Sequence, residues 1–222
     1  LILSANNSAW TGNINVNAGV LAVGSAAAIG TGTISISPAA AAYGAAVQLS
    51  GDITLPNAIN LQGSNHVFFG GINFGGQIEN VSGTNTLTGT ITTGLNSAIG
   101  ARAGSTLNLN GAWNLGVMTL AFTGNGTINL GTNFSGSIWG IEKHGQGTVN
   151  LTAANSAVFS NLFTLNGGTF ALSGSGTLAG GATLAGSLQA GATLAVNDTG
   201  TAIANRLGSG RPLTIQHGTF DF

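Results

Sequence analysis

The sequence predicts an all-β fold of the solenoid type, and three observations lead to this prediction. A four-residue unit that begins with threonine recurs at a constant spacing of about 21 residues. Glycine supplies 38 of the 222 residues without the every-third-residue period of collagen, which is typical of many tight turns between short strands. No segment has the periodicity of an amphipathic helix, and the nearest candidate is a short turn near residues 25–29.

The threonine unit predicts the regular part of the fold. Its four copies are Thr106–Leu109, Thr127–Leu130, Thr148–Leu151 and Thr169–Leu172. Each copy has apolar residues two positions apart, which predicts a strand with one buried face. One such strand cannot bury its face alone, so we expect each coil to stack on the previous one. At this spacing the chain would form about ten or eleven coils and a rod roughly 50 Å long.

Further short strands are predicted wherever apolar residues alternate between Gly, Asn, Ser or Pro. These segments are 33–36, 47–49, 53–55, 59–61, 67–69, 120–122, 194–196, 213–215 and 220–222. A Gly-x-Gly-Thr motif precedes several strand signals and predicts a recurring corner, because glycine tolerates positive φ. Its copies begin at Gly30, Gly124, Gly145 and Gly174.

A longer internal match indicates that the chain is an excerpt of an array. Residues 1–23 align with 149–172 after one insertion, so that Leu3 matches Leu151 and Gly19 matches Gly168. Both ends of the chain fall inside this pattern. We therefore expect residues 1–222 to form a single solenoid segment of a longer repeat protein.

Composition narrows the classes of function. Charged residues make up 4% of the chain and the formal net charge is −1, which leaves no basic surface for nucleic acid. No apolar run is long enough for a membrane-spanning helix, so we expect no membrane insertion by this segment. The absence of cysteine, together with the Gly/Asn/Thr-rich composition, is typical of exported bacterial surface proteins.

Several blocks in order resemble the autotransporter-associated β-strand repeat, or passenger-associated transport repeat, of large Gram-negative surface proteins. The blocks are 140–152, 154–156 and 165–170, with 76–87 similar to an inter-repeat segment and 206–215 to a downstream strand pair. This resemblance implies a right-handed parallel β-helix on the cell surface, exported across the outer membrane. It supplies no catalytic residues. Asn161 and Phe163 depart from the family pattern, which usually has small or polar residues at this corner.

Few side chains in the sequence could take part in catalysis, metal binding or ligand binding, and each of them also has a structural interpretation. The acids Asp52, Glu79, Glu142, Asp198 and Asp221 are widely spaced and are expected to be solvated corner charges rather than a catalytic pair. Glu142-Lys143-His144 predicts a surface turn with a weak ion pair. His66, His144 and His217 lack metal-ligand spacing, so no metal or cofactor is expected. Trp10, Trp113 and Trp139 favour core packing, Trp139 least.

These patterns predict a structural, non-enzymatic role: an extracellular stalk or fibre segment with no catalytic, cofactor-binding or metal site. The first alternative is an adhesin that binds glycans or surface proteins through corner loops, with Trp139 and Phe68 or Phe69 as exposed aromatics. A polysaccharide-degrading enzyme is a weaker alternative. Low charge also predicts self-association into fibres or layers. The threonine and asparagine ladders raise ice binding as a hypothesis, disfavoured because only one threonine recurs per coil.

Overall fold

The structure is a computed structural model that describes residues 1–3, 5–38, 44–62, 75–134, 137–154, 158–178, 185–200, 202–208 and 212–222. Parallel strands stack as a β-solenoid of about eight turns, about 23 residues apart, with almost no helix. This confirms the predicted all-β solenoid. Right-handed winding stays a prediction, consistent with the usual hand of parallel crossovers. The predicted strand at 67–69, which includes Phe68 and Phe69, and also His66 lie outside the described residues.

Three parallel sheets line the solenoid. The first, the long sheet, has ten strands. In chain order they are β1 (Ile2–Leu3), β3 (Gly19–Val23), β5 (Ala45–Leu49), β8 (Ile78–Asn80), β11 (Ser97–Ala101), β14 (Thr119–Gly124), β16 (Ser137–Lys143), β18 (Val158–Leu165), β20 (Ala185–Leu188) and β22 (Leu213–Ile215).

The second, the threonine sheet, has eight strands, and the third, the short sheet, has five. The threonine sheet contains β6 (Thr54–Leu55), β9 (Thr84–Leu87), β12 (Thr106–Leu109), β15 (Thr127–Leu130), β17 (Thr148–Leu151), β19 (Gly168–Leu172), β21 (Ala192–Val196) and β23 (Thr219–Asp221). The short sheet contains β2 (Ile14–Val16), β4 (Ile34–Ile36), β7 (Ile59–Leu61), β10 (Ile91–Thr93) and β13 (Trp113–Leu115). A 3₁₀ helix at Ala26–Ile29 matches the predicted short turn.

The four predicted threonine units pair in register, as expected. Thr106, Thr127, Thr148 and Thr169 are successive partners in β12, β15, β17 and β19. The predicted number of coils is wrong, because several coils outside this window are longer. Gln48, for example, pairs with Glu79 in the next coil, a step about half as long again as that from Thr106 to Thr127. The same chain therefore forms fewer turns than the predicted ten or eleven.

The core is one continuous cluster enclosed by the three sheets. Alternate residues of each strand face inward, and in the threonine sheet the second inward position is occupied almost entirely by leucine. These buried residues are Leu55, Leu87, Leu109, Leu130, Leu151, Leu172 and Val196. Burial of one such side chain contributes about 1.5–3 kcal/mol. Phe163, expected at a corner, instead lies inside β18, and its ring packs edge-on against Phe170 at a centroid distance of 5.3 Å.

The Gly-x-Gly-Thr corners use their two glycines differently. The first glycine has a positive φ, for example 75° at Gly145. The second glycine has no such φ, but a Cβ atom at Gly147 would overlap the carbonyl oxygen of Gly126 in the adjacent coil. Positive φ therefore explains the first glycine of the corner, and close stacking of coils, which excludes a side chain, explains the second.

The internal match between residues 1–23 and 149–172 does not reflect equivalent positions in the coil. Leu3 lies in the long sheet, whereas its match Leu151 lies in the threonine sheet. Gly19 likewise begins a strand of the long sheet and Gly168 a strand of the threonine sheet. The same alternation and glycine corner suit either sheet, so the sequence match reports local strand chemistry rather than a repeated whole coil.

Candidate interaction surfaces

The outer face of the threonine sheet carries an unbroken column of seven threonines, three more than the sequence pattern showed. They are Thr84, Thr106, Thr127, Thr148, Thr169, Thr193 and Thr219. The two end residues are exposed and the five between them are half-buried. Within the described part of the chain, none of these seven hydroxyl groups forms a hydrogen bond to another protein group.

A second outward column lies two residues further along each strand. In the middle coils it contains asparagines whose amides bond along the solenoid axis. Asn129 Nδ2 donates to Asn108 Oδ1 at 2.8 Å, and Asn150 Nδ2 donates to Asn129 Oδ1 at 2.9 Å. Asn108 Nδ2 in turn donates to Thr86 Oγ1 at 3.2 Å. This confirms the predicted stacking of asparagines and fixes the orientation of their amides.

Glu79 is not the solvated corner charge that the sequence predicted. Its carboxylate is buried in the long sheet, where it accepts hydrogen bonds from Arg102 Nε at 2.7 Å and Gln48 Nε2 at 2.6 Å. Hydrogen bonding to Glu79 raises the pKa of Arg102. No sequence signal indicated this burial, because the three residues belong to three successive coils.

Asp198 also has a defined structural partner. It pairs with Arg206, whose buried guanidinium donates from Nη1 to Gly176 O and from Nη2 to Gly174 O, both at 2.8 Å. The hydrogen bond from Arg206 lowers the pKa of Asp198. Through Arg206 this pair fastens the segment after β21 to the corner after β19.

Asp52 accepts a hydrogen bond from the backbone N–H of Thr84, and Asp221 is exposed at the end of β23. All five acids therefore lie in the described residues, and Glu142 is described below with its neighbours. The structure brings no two of them together as partners across neighbouring coils. The described residues also contain no group of three His, Cys, Asp or Glu that could hold a metal ion.

The prediction of a surface turn at Glu142-Lys143-His144 is wrong, because Glu142 and Lys143 end strand β16. The polar contact within this segment joins Glu142 Oε2 to His144 Nε2 at 2.8 Å. The His144 ring also approaches Asn166, with His144 Nδ1 at 3.4 Å from Asn166 Nδ2. His217 lies far along the chain with a φ of 64°, so the described histidines do not form a joint site.

Lys143 is buried, with 1% of its surface exposed. It stands between Phe122 and Leu165 in an inward-facing column of the long sheet. Its Nζ donates to the carbonyl oxygens of His144 and Gly145, each at 2.9 Å, and of Gly167 at 3.4 Å in the next coil. Burial lowers the pKa of Lys143 to about 8. The sequence held a signal for this position, since Lys143 follows inward-facing Ile141 by two residues.

The three tryptophans divide between core and surface. Trp113 is in the core, as predicted, and packs edge-on against Phe134 at 4.9 Å between ring centroids. Trp10 and Trp139 are 44% and 46% exposed, so the preference for core packing is wrong for both. The long-sheet pairing of β16 shifts register between Ile138 and Gly140, and this bulge at Trp139 re-aims the intervening side chain.

Trp139 belongs to an exposed apolar group that we call the edge stripe. Its members Leu95, Val117 and Trp139 are equally spaced in sequence, one in each of three successive coils. Leu95 and Val117 lie between strands of the short sheet and the long sheet, and Trp139 lies in β16 of the long sheet. Leu95 and Val117 are 40% and 71% exposed. The chain also varies most in length at this junction: positions 62–77 separate β7 from β8, whereas only positions 94–96 separate β10 from β11.

Comparison with protein-family models, curated proteins and solved structures gives no significant match. Inference about its function therefore depends on the sequence and geometry of the chain itself. Among the described residues, no helix has the length and apolar character needed to cross a membrane.

Proposed function

We propose that this chain is a structural segment of an extracellular stalk or fibre, carried by an autotransporter-like surface protein of a Gram-negative bacterium. The observation that carries the proposal is the unbroken parallel ladder of ten strands in the long sheet. Ten strands at about 4.8 Å spacing make a rod about 43 Å long in which every coil is supported by its neighbours. The proposed role is mechanical and involves no catalysis.

The interior supports this role because it is apolar and continuous. Backbone hydrogen bonds join successive coils along all three sheets, and the few buried charges are paired or bonded to carbonyl groups. Each coil presents a completed edge on which the next can form, so folding can propagate along the chain as it leaves a secretion pore. Export and surface location are part of this proposal and agree with the resemblance of residues 140–170 to passenger repeats.

Digestion of the purified chain by a broad-specificity protease tests the stalk proposal. We expect a core containing the long-sheet and threonine-sheet strands to survive at conditions that degrade the heat-denatured chain within minutes, because backbone in a stacked sheet is inaccessible to cleavage. Mass spectrometry of the surviving fragments gives the readout. Early cleavage within β11 to β19 would contradict the proposal that the chain is a continuous structural rod.

The edge stripe favours a second candidate function, adhesion. Leu95, Val117 and Trp139 are exposed apolar residues in three successive coils, and Leu95 and Val117 lie at the junction where coil length varies. Repeat proteins often bind partners on the face that carries their insertions. The expected ligand is a glycan or a surface protein that contacts Trp139.

A glycan array and a panel of surface-protein extracts test this candidate, with Trp139→Ala as the variant and Trp10→Ala as the matched control, since both tryptophans are about equally exposed. Adhesion through the edge stripe predicts binding that is lost only in Trp139→Ala. Equal binding by both variants, or no binding by the unmodified chain, would contradict adhesion through the edge stripe and favour the purely structural role.

The low charge of the chain supports a further part of the proposal, self-association. With 4% charged residues, neighbouring rods repel each other weakly, so we expect the average mass from light scattering to rise with concentration. A constant monomer mass at millimolar concentration would contradict this expectation.

A further inference from the structure

The threonine column offers a regular row of hydroxyl and methyl groups. Seven strands contribute one threonine each, in register from Thr84 to Thr219. Adjacent strands lie about 4.8 Å apart, so the row repeats over about 29 Å. We propose that this face of the threonine sheet binds ice, that is, a lattice of water molecules ordered along the same axis.

The hydroxyl groups are free to join such a lattice. None of the seven donates to or accepts from another protein group within the described residues, although the threonines between the two ends are half-buried. A β-branched threonine in a strand has few side-chain conformations, so its hydroxyl is held in a narrow range of positions. Water bridging between such groups is nearly as favourable as a direct hydrogen bond.

The neighbouring asparagine column extends the array in the middle coils. Asn108, Asn129 and Asn150 use one amide hydrogen each for the bond along the axis, which leaves the second amide hydrogen with the same coil-to-coil repeat. The face therefore presents two parallel rows of oriented polar groups between Thr86 and Asn150. In these four coils the second row adds an outward polar group beside the single threonine of each coil.

A protein partner fits this face less well than ice does. Eight strands of about four residues give an area of roughly 450 Å² for each partner, against about 800 Å² in a standard stable interface. The outward residues of the sheet carry a single charge, Asp221 at its last strand, so there is no charge pattern for a partner to complement. Adsorption to a crystal requires only many weak contacts made at once at a matching repeat.

The test measures thermal hysteresis and the partition of the whole chain into growing ice. The variants Thr127→Lys and Thr148→Lys place a long charged side chain in the middle of the column, and Thr92→Lys is the matched control on the outer face of the short sheet. We expect the unmodified chain and Thr92→Lys to enter ice and the two column variants to lose at least tenfold in partition. Circular dichroism verifies that each variant folds.

Thr127→Ser provides a second variant that retains the hydroxyl and the strand but removes one methyl group. Ice binding predicts an intermediate loss for this variant. Exclusion of the unmodified chain from ice, or equal losses in Thr92→Lys and Thr127→Lys, would overturn the proposal. Since the stalk proposal concerns protease resistance and does not depend on ice, the two can fail separately.

Discussion

Lys143 places an ammonium group in an apolar column, and this makes the stability of the fold depend on pH. Its pKa in the folded chain is about 8, below the ordinary value of 10.5. Between these two values the unfolded chain binds more protons than the folded chain, so the free energy of unfolding rises with pH. Below pH 8 the lysine is protonated in both states, so the full free-energy cost of burying its charged ammonium group remains. We expect a rise on the order of 2 kcal/mol between pH 8 and 10.5.

The matched variant is Lys143→Met, which keeps the length of the side chain and removes its charge. Chemical denaturation across the same pH window should give a smaller rise for this variant than for the unmodified chain. Identical pH slopes for the two proteins would show that Lys143 is not the titrating group. The signal for this burial was present in the sequence, since Ile141 and Lys143 share one face of a strand, but charge argued for exposure.

Gly147 tests the tight stacking of corners at the scale of one residue. A Cβ atom there would overlap the carbonyl oxygen of Gly126, which belongs to the backbone and cannot move aside. We expect Gly147→Ala to lower the free energy of unfolding by about 2 kcal/mol or more. Gly24→Ala is the control, because the nearest atom to its Cβ would be Ser50 Oγ at an ordinary 3.7 Å. Equal effects of both substitutions would contradict the stacking argument.

Among strands, the asparagine ladder is the clearest case of a contact made between elements far apart in sequence. Asn129 in β15 bonds to Asn108 in β12 and to Asn150 in β17. Removing its amide in Asn129→Ala breaks both bonds, which should lower the free energy of unfolding by about 1 kcal/mol. Asn114→Ala, on the exposed face of β13, should change it by less than about 0.5 kcal/mol. A similar loss in both variants, measured by chemical denaturation, would mean that the ladder contributes no special stability.

The threonine units could be predicted at this scale because their constant spacing brings like residues into register without knowledge of the rest of the chain. Residues 1–23 show the limit of that reasoning. Their alternation matches 149–172, yet their strands join a different sheet, since local chemistry does not specify which side of the coil a strand occupies. The edge stripe was also unpredictable, because the alignment of its residues in successive coils depends on coil lengths.

Across the whole molecule, the sequence predicted the solenoid and its parallel pairing, but not the number of turns. The expected number of turns assumed that every coil has the 21-residue length of the threonine units. The coils differ in length, as the long step from Gln48 to Glu79 shows. The ion pair of Glu79 and Arg102 was missed for the same reason, since these two residues meet only because their coils are adjacent. In a solenoid, the lengths of the coils determine which distant residues become neighbours, and short sequence motifs do not determine those lengths.

Distances between spin labels along the threonine column test the stacking of successive coils most directly. The chain has no cysteine, so Thr84, Thr106 and Thr127 can each be paired with Thr219 as labelled double-cysteine variants. Successive partners in register predict mean distances of about 29, 24 and 19 Å, a decrease of about 4.8 Å for each coil removed. Distances that do not fall in these equal steps, or that greatly exceed these values, would contradict a stacked parallel solenoid.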